Sequence, residues 1–237
     1  MASQSDPFWF RQTVGPISFG FTDARTNLKP GTGRLAQGES DLGLIARELG
    51  GVGVTMNQVH GATVALADPD ASAAEADALI VDRPQVVAIV RVADCVPVVI
   101  VDRTRPIAAV VHAGRAGMLA QVMQATVDQL HERGADRLHA WVGPRACGRC
   151  YEVPKEMAEA AAAIEPTAQS VTSWGTPAID VGAAVVQQLE RAAVAVTDLG
   201  GCTIEDERFW SFRRQGDSSG RFGAAVFASA GFPSRPP

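Results

Sequence analysis

The chain has 237 residues, 46% of them hydrophobic, a formal net charge of −5 and a pI near 5.4. That apolar content supports a sizeable core and excludes wholesale disorder. The acidic balance argues against broad binding to nucleic acid or an anionic membrane, and no uncharged apolar run reaches transmembrane length.

In chain order, residues 1–13 read as a loosely held start with no basic and apolar leader pattern, and Ile17–Thr22 alternates like a strand. Residues 27–33 carry loop chemistry. Asp41–Leu49 has helical apolar spacing and is stopped by Gly50-Gly51. Val52–Met56 and Ala62–Ala67 predict a hairpin turning at His60-Gly61. Asp68–Asp77 is a polar loop. Three β-branched runs follow, Val86–Val92, Val96–Val101 and Ile107–Val111, short enough for strands buried on both faces. The turn-like connection Arg103–Pro106 suits an antiparallel pair. Met118–Arg133 carries an amphipathic stripe ended by Gly134. Leu138–Val142 predicts a strand, Val153–Ile164 and Val181–Val194 helices, and Phe222–Ala228 a last strand. Met118, Met123, Trp141 and Trp174 read as core. The pattern predicts a single α/β domain over residues 1–237, with a central mixed β-sheet flanked by helices and a loose tail at 231–237.

Polar side chains stand where the buried runs end: Asp94-Cys95 between the first two, His112 after the third, and His60 in the expected turn. His60, Cys95 and His112 are 35 and 17 residues apart, too far for a zinc-finger knuckle and typical of a site assembled from separate strand ends. Two imidazoles and a thiolate suit Zn²⁺, with a fourth position left for water whose pKa the metal lowers toward about 7. A Cys95 nucleophile activated by His112 or His60, and a plain structural role, are alternatives from the same residues. Cys147-x-x-Cys150 reads alone as half a zinc site or a redox pair; with no second C-x-x-C it is expected to be partly buried thiols in a loop. Arg145 and Arg149 in that loop, and Arg213-Arg214 after Phe209-Trp210-Ser211-Phe212, are candidates for holding a phosphate, with the aromatics as a stacking surface. Four cysteines without a secretory leader suggest free thiols and a cytoplasmic setting.

Five stretches occur in order: NQVHG (57–61), ADC with Pro97, VHAG with Gly117, GP through CYEV (143–153), and CT…FWSFRR…GR (202–221). Together they resemble the YfiH family, described both as laccase-domain (polyphenol oxidoreductase) proteins and as purine nucleoside phosphorylases, and the match covers most of the chain from about residue 17 to 228. The resemblance implies an α/β domain with the metal ligands His60, Cys95 and His112, zinc as the metal with copper as an alternative, and nucleoside and phosphate as small-molecule partners. It implies phosphorolysis of adenosine, inosine and methylthioadenosine, with adenosine deamination as a second activity. Asp94 is then a candidate proton shuttle or a group orienting a histidine. The chain departs from the family in two places. The pattern H-A-G-W-R-G is here His112-Ala113-Gly114-Arg115-Ala116-Gly117, and an arginine moved by one residue is expected to point elsewhere. The N-terminal motif is reduced to Thr22-Asp23-Ala24-Arg25. Three other functions stand beside the phosphorylase. A copper polyphenol oxidoreductase needs several imidazole-bound coppers, and only His131 and His139 remain to supply them. A metal-free Cys–His hydrolase acting on cell-wall precursors and a non-catalytic scaffold complete the set.

Overall fold

Alternation along the buried strands decides the layering. In the run from Val86 to Val92, Val86, Ala88, Val90 and Val92 pack into one core, while Val87 and Ile89 pack into another. Such a strand has protein on both faces, which is why it reads as continuous apolar sequence. The computed structural model describes residues 6–30 and 40–229; the expected loop over 27–33 falls partly, and the expected loose tail over 231–237 wholly, outside them.

The chain opens with β1 (Phe8–Val14) and β2 (Ile17–Thr22), an antiparallel pair. Residues 8–13 are therefore an edge strand and not a loose start; Phe8 packs on Ile45 and Leu49. Helix α1 (Asp41–Leu49) is capped by the Ser40 side chain and ends at Gly50, whose φ of 93° only glycine adopts readily. Next come β3 (Val52–Val54), β4 (Val64–Leu66), β5 (Ala78–Val81), β6 (Val86–Val92), β7 (Val96–Asp102) and β8 (Ala108–Ala113). Then follow α2 (Arg115–Leu119), α3 (Val122–Glu132), β9 (Leu138–Val142), α4 (Lys155–Ile164), β10 (Gln169–Val171), β11 (Pro177–Ile179), α5 (Val181–Arg191), β12 (Ala195–Asp198), α6 (Phe212–Gln215) and β13 (Phe222–Ala228).

The strands form two large mixed sheets, ordered β1-β2-β13-β6-β3 and β12-β9-β7-β8-β5-β4, and a small β10-β11 pair. The two large sheets face each other across a core containing Phe19, Phe21, Val90, Val99, Val110, Trp141 and Phe222. The outer face of the first sheet is covered by α1, that of the second by α3, α4 and α5. The result is a mixed α/β fold with helices on both outer faces.

Three local expectations change. Residues 52–67 form no hairpin: β3 pairs parallel with β6 in one sheet and β4 parallel with β5 in the other. The segment between them crosses from sheet to sheet. The helix expected at Met118–Arg133 is two helices, broken where Gln121 adopts a left-handed conformation at φ 61°. Trp174 is 56% exposed, its indole N–H donating to Glu152, and is not core.

Candidate metal centre and its cavity

Strand β8 turns Ala108 and Val110 toward the inter-sheet core and Ala109, Val111 and Ala113 toward the helices. By the same period His112 faces the inter-sheet side, where β8 runs out and α2 begins. Cys95 lies in the turn between β6 and β7, which belong to different sheets. His60 lies in the crossing segment. Three different breaks in the sheets thus converge on one point. The ligand atoms of His60, Cys95 and His112 are all within 4.8 Å of one another, with Cys95 Sγ 3.9 Å from His60 Nε2. The histidine rings meet edge to face at 4.7 Å.

Asp77, fully buried just before β5, organises this convergence. Its Oδ1 is 2.7 Å from His112 Nδ1 and accepts from the His60 amide at 3.0 Å; its Oδ2 accepts from Gly61 at 2.6 Å and Val59 at 3.3 Å. A carboxylate there holds the proton on Nδ1 and leaves Nε2 as a ligand. It also holds His60 at φ 61°, a conformation that costs about 1–3 kcal/mol in a non-glycine residue. Gly114 is needed for space, since a Cβ there would lie 2.7 Å from His60 Cδ2 and 3.2 Å from Cys95 Sγ.

The electrostatics favour charged partners. Burial alone pushes the Cys95 thiol up, but hydrogen bonds and charge from His112 and His60 outweigh it and bring its pKa to about 6. Burial disfavours the His112 cation, yet its bonds to Asp77 and Cys95 raise it to about 9. A divalent, thiophilic metal that takes the place of the His112 Nε2 proton fits this thiolate and its two imidazoles.

The centre opens on a cavity of about 630 Å³, a size usual for small-ligand sites. His60, Cys95, His112, Asp94 and Arg213 all line it, together with Arg91, Arg115, Tyr151, Phe212 and Arg221. Arg213 lies 4.6 Å over the Tyr151 ring. Arg91 is held below its usual pKa by burial and by the charge of Arg221. Asp94 accepts from the Thr203 hydroxyl at 2.6 Å and the Arg213 amide at 2.7 Å. It therefore joins the Cys95 turn to the Thr203 loop and to the first turn of α6, while the carboxylate that meets a histidine is Asp77.

Three candidate arginines, Arg145, Arg149 and Arg214, are not on the cavity wall. Arg145 does not line the cavity; it forms a two-pronged ion pair with Asp198 at 2.6 and 2.7 Å. Arg214 is bonded to the carbonyls of Thr203, Ile204 and Phe209, fastening its own loop. Arg115 does reach the cavity although it is shifted by one residue, and among the described residues no hydrogen bond or ion pair engages its guanidinium. The reduced motif Thr22–Arg25 is closed on itself by the Arg25–Asp23 ion pair at 2.9 Å and is not on the cavity wall. The residues that sequence reading missed had quiet signals. Arg91 is the one charge in an apolar run, Arg221 closes the last family stretch, and Asp77 precedes the fully buried run Ala78–Val81.

Residues 37–229 match the family model described as multi-copper polyphenol oxidoreductase laccase. The chain belongs to this laccase-domain family. Curated relatives include a purine nucleoside phosphorylase of Streptomyces coelicolor, 40% identical over 92% of this chain and 98% of the relative. Another, from Streptomyces griseus, is 42% identical over 73% of each chain. Among solved structures, Neisseria meningitidis protein NMB0706 superposes with a TM-score of 0.78 at 22% identity, over 95% of this chain and 100% of that one. YlmD of Geobacillus stearothermophilus gives 0.76 at 22% identity, over 94% and 100%. Within the laccase-domain fold the candidate metal centre thus gathers two sheet-to-sheet crossings and the end of β8. Among the described residues no helix is long and apolar enough to cross a membrane.

Proposed function

We propose that this protein is a zinc-dependent purine nucleoside phosphorylase acting on adenosine, inosine and methylthioadenosine, with adenosine deamination as a second activity of the same cavity. The observation that carries the reading is the meeting of a two-imidazole, one-thiolate donor set with several arginines in a single cavity. The names of the curated relatives support it.

His60, Cys95 and His112 would hold the metal through Nε2 of His112, its other nitrogen being engaged by Asp77. Zinc there would supply Lewis acidity and an acidified water, the chemistry that removing an amino group from adenine needs. Phosphorolysis asks different things of the chain. As the bond from the sugar C1′ to the purine breaks, positive charge develops on the sugar and a phosphate oxygen bonds to C1′. Phosphate must therefore be held in line. Burial and the nearby charge of Arg221 disfavour the Arg91 cation, and an anion held beside Arg91 offsets both. Arg115 and Arg213 add positive charge to the same wall. Tyr151 and Phe212 offer flat faces to a purine. Asp94, bonded to Thr203 and Arg213, acts as a positioning residue.

A multicopper oxidase needs further coppers bound largely by imidazole. The other histidines are occupied otherwise: His131 Nδ1 is 2.8 Å from the Ala135 carbonyl, and His139 is 2.9 Å from Thr197 Oγ1 and stacked on Trp141. Neither belongs to a donor cluster among the described residues. The Cys95–His112 pair also suits a thiolate nucleophile, which keeps a metal-free hydrolase as the second reading.

The test is incubation of metal-replete protein with adenosine and phosphate. Adenine with ribose 1-phosphate, and inosine in parallel, are expected, both lost in His112→Ala and after chelation. Activity that survives chelation but not thiol alkylation would favour the hydrolase instead.

A further inference from the structure

The C-x-x-C motif finds a partner in the fold. Cys147 and Cys150 stand in the loop after β9, and Cys202 and Glu205 in the loop after β12. One ligand atom from each of these four residues lies within 4.8 Å of all the others. We propose that Cys147, Cys150, Cys202 and Glu205 form a second, structural zinc site, separate from the cavity centre.

The two loops have the same design. In the first, the amides of Cys150 and Tyr151 close a turn onto the Cys147 carbonyl at 3.0 and 2.9 Å. In the second, Glu205 and Asp206 close one onto the Cys202 carbonyl at 3.2 and 2.8 Å. Each turn presents its first residue and its fourth, C-x-x-C and C-x-x-E. A parallel bridge between Arg145 and Cys202 sets the turns side by side, with Arg145 donating to Gly201 and Thr203 donating to Arg145. Three sulfurs and a carboxylate so close together repel one another when ionised. A divalent cation resolves that conflict.

The donor chemistry selects the metal and its role. Thiolates favour zinc over hard cations, and four protein donors close the coordination shell, as in structural sites. Zn–S bonds of about 2.3 Å put neighbouring donors of a tetrahedron about 3.8 Å apart, which is inside the observed limit. The site would fasten both loops that serve the cavity. The first carries Ala146 and Tyr151 on the cavity wall, and the second carries Thr203, which holds Asp94.

The test isolates this site by removing the other. In a His60→Ala/His112→Ala variant, one equivalent of zinc should remain after dialysis. Cobalt substitution should give thiolate-to-metal charge transfer with four-coordinate visible bands. Both should disappear with Cys202→Ser and weaken with Glu205→Gln. A folded double-histidine variant that takes up no metal would overturn the proposal. If that variant does not fold, the unaltered chain answers by alkylation and peptide mass mapping. Cys147, Cys150 and Cys202 should be protected when zinc-loaded and modified after chelation. Equal labelling in both states, or a Cys147–Cys150 disulfide in the zinc-treated protein, would overturn it.

Discussion

Asp77 connects more of the centre than either histidine does. One carboxylate sets the tautomer of His112 and caps the three amides that hold His60 in its left-handed conformation. Replacing it with asparagine keeps the shape but puts an uncharged amide against Nδ1. Zinc affinity of Asp77→Asn is expected to fall about 10–100-fold, measured by competition with a chromogenic chelator, with secondary structure unchanged. An unchanged affinity would mean that the centre does not depend on this partner. At this scale His60, Cys95 and His112 stand out in the sequence as donors near the ends of apolar runs, and the fold brings them within 4.8 Å of one another. Asp77 was not, because it closes an alanine-rich loop whose burial only the folded chain reveals. Arg145 was misread for the converse reason. Its loop position suggested an anion, whereas Asp198, 53 residues later, already supplies the charge.

Elements were read best where both faces of a strand are buried or a stop signal is local. Asp41–Leu49 and Phe222–Ala228 fall where the sequence places them, and the antiparallel β7–β8 pair follows from its short connection. The β3–β4 hairpin failed because its apolar alternation is equally compatible with two parallel edge strands in different sheets; only sheet partners tell them apart. The connection between β7 and β8 has its own anchor. Asp102, fully buried, accepts from Thr104 and Arg105 in that turn and from Asp136 and Arg137 ahead of β9, at 2.6–3.1 Å. Burial pushes this carboxyl up, yet the hydrogen bonds from Asp136, Thr104 and Arg105 outweigh it and bring it to about 2. Since the folded value lies below the unfolded one, its contribution is present above about pH 4 and lost as pH falls toward about 2. Asp102→Asn is expected to cost about 2 kcal/mol in urea unfolding at pH 7. The gap between the wild type and the variant should close between about pH 4 and 2; a constant gap would contradict the assignment.

For the whole molecule, the arrangement of two sheets explains where the centre is. His60 and Cys95 stand where the chain passes from one sheet to the other, and His112 stands at the end of β8. The sequence patterns supported mixed α/β layering with flanking helices. The division into two facing sheets depends on pairings between strands distant in sequence, such as β2 with β13. The arginines of the cavity come from equally distant places, β6 for Arg91 and the approach to β13 for Arg221, so this basic wall also emerges only on folding. On the proposed function, this convergence performs phosphorolysis of purine nucleosides. The most direct measurement follows inosine and phosphate with the zinc-loaded protein, quantifying hypoxanthine and ribose 1-phosphate together. Equimolar products that require phosphate, and that fall to background in His112→Ala, are the expected result. No turnover above the His112→Ala level, or hypoxanthine released without phosphate, would contradict it.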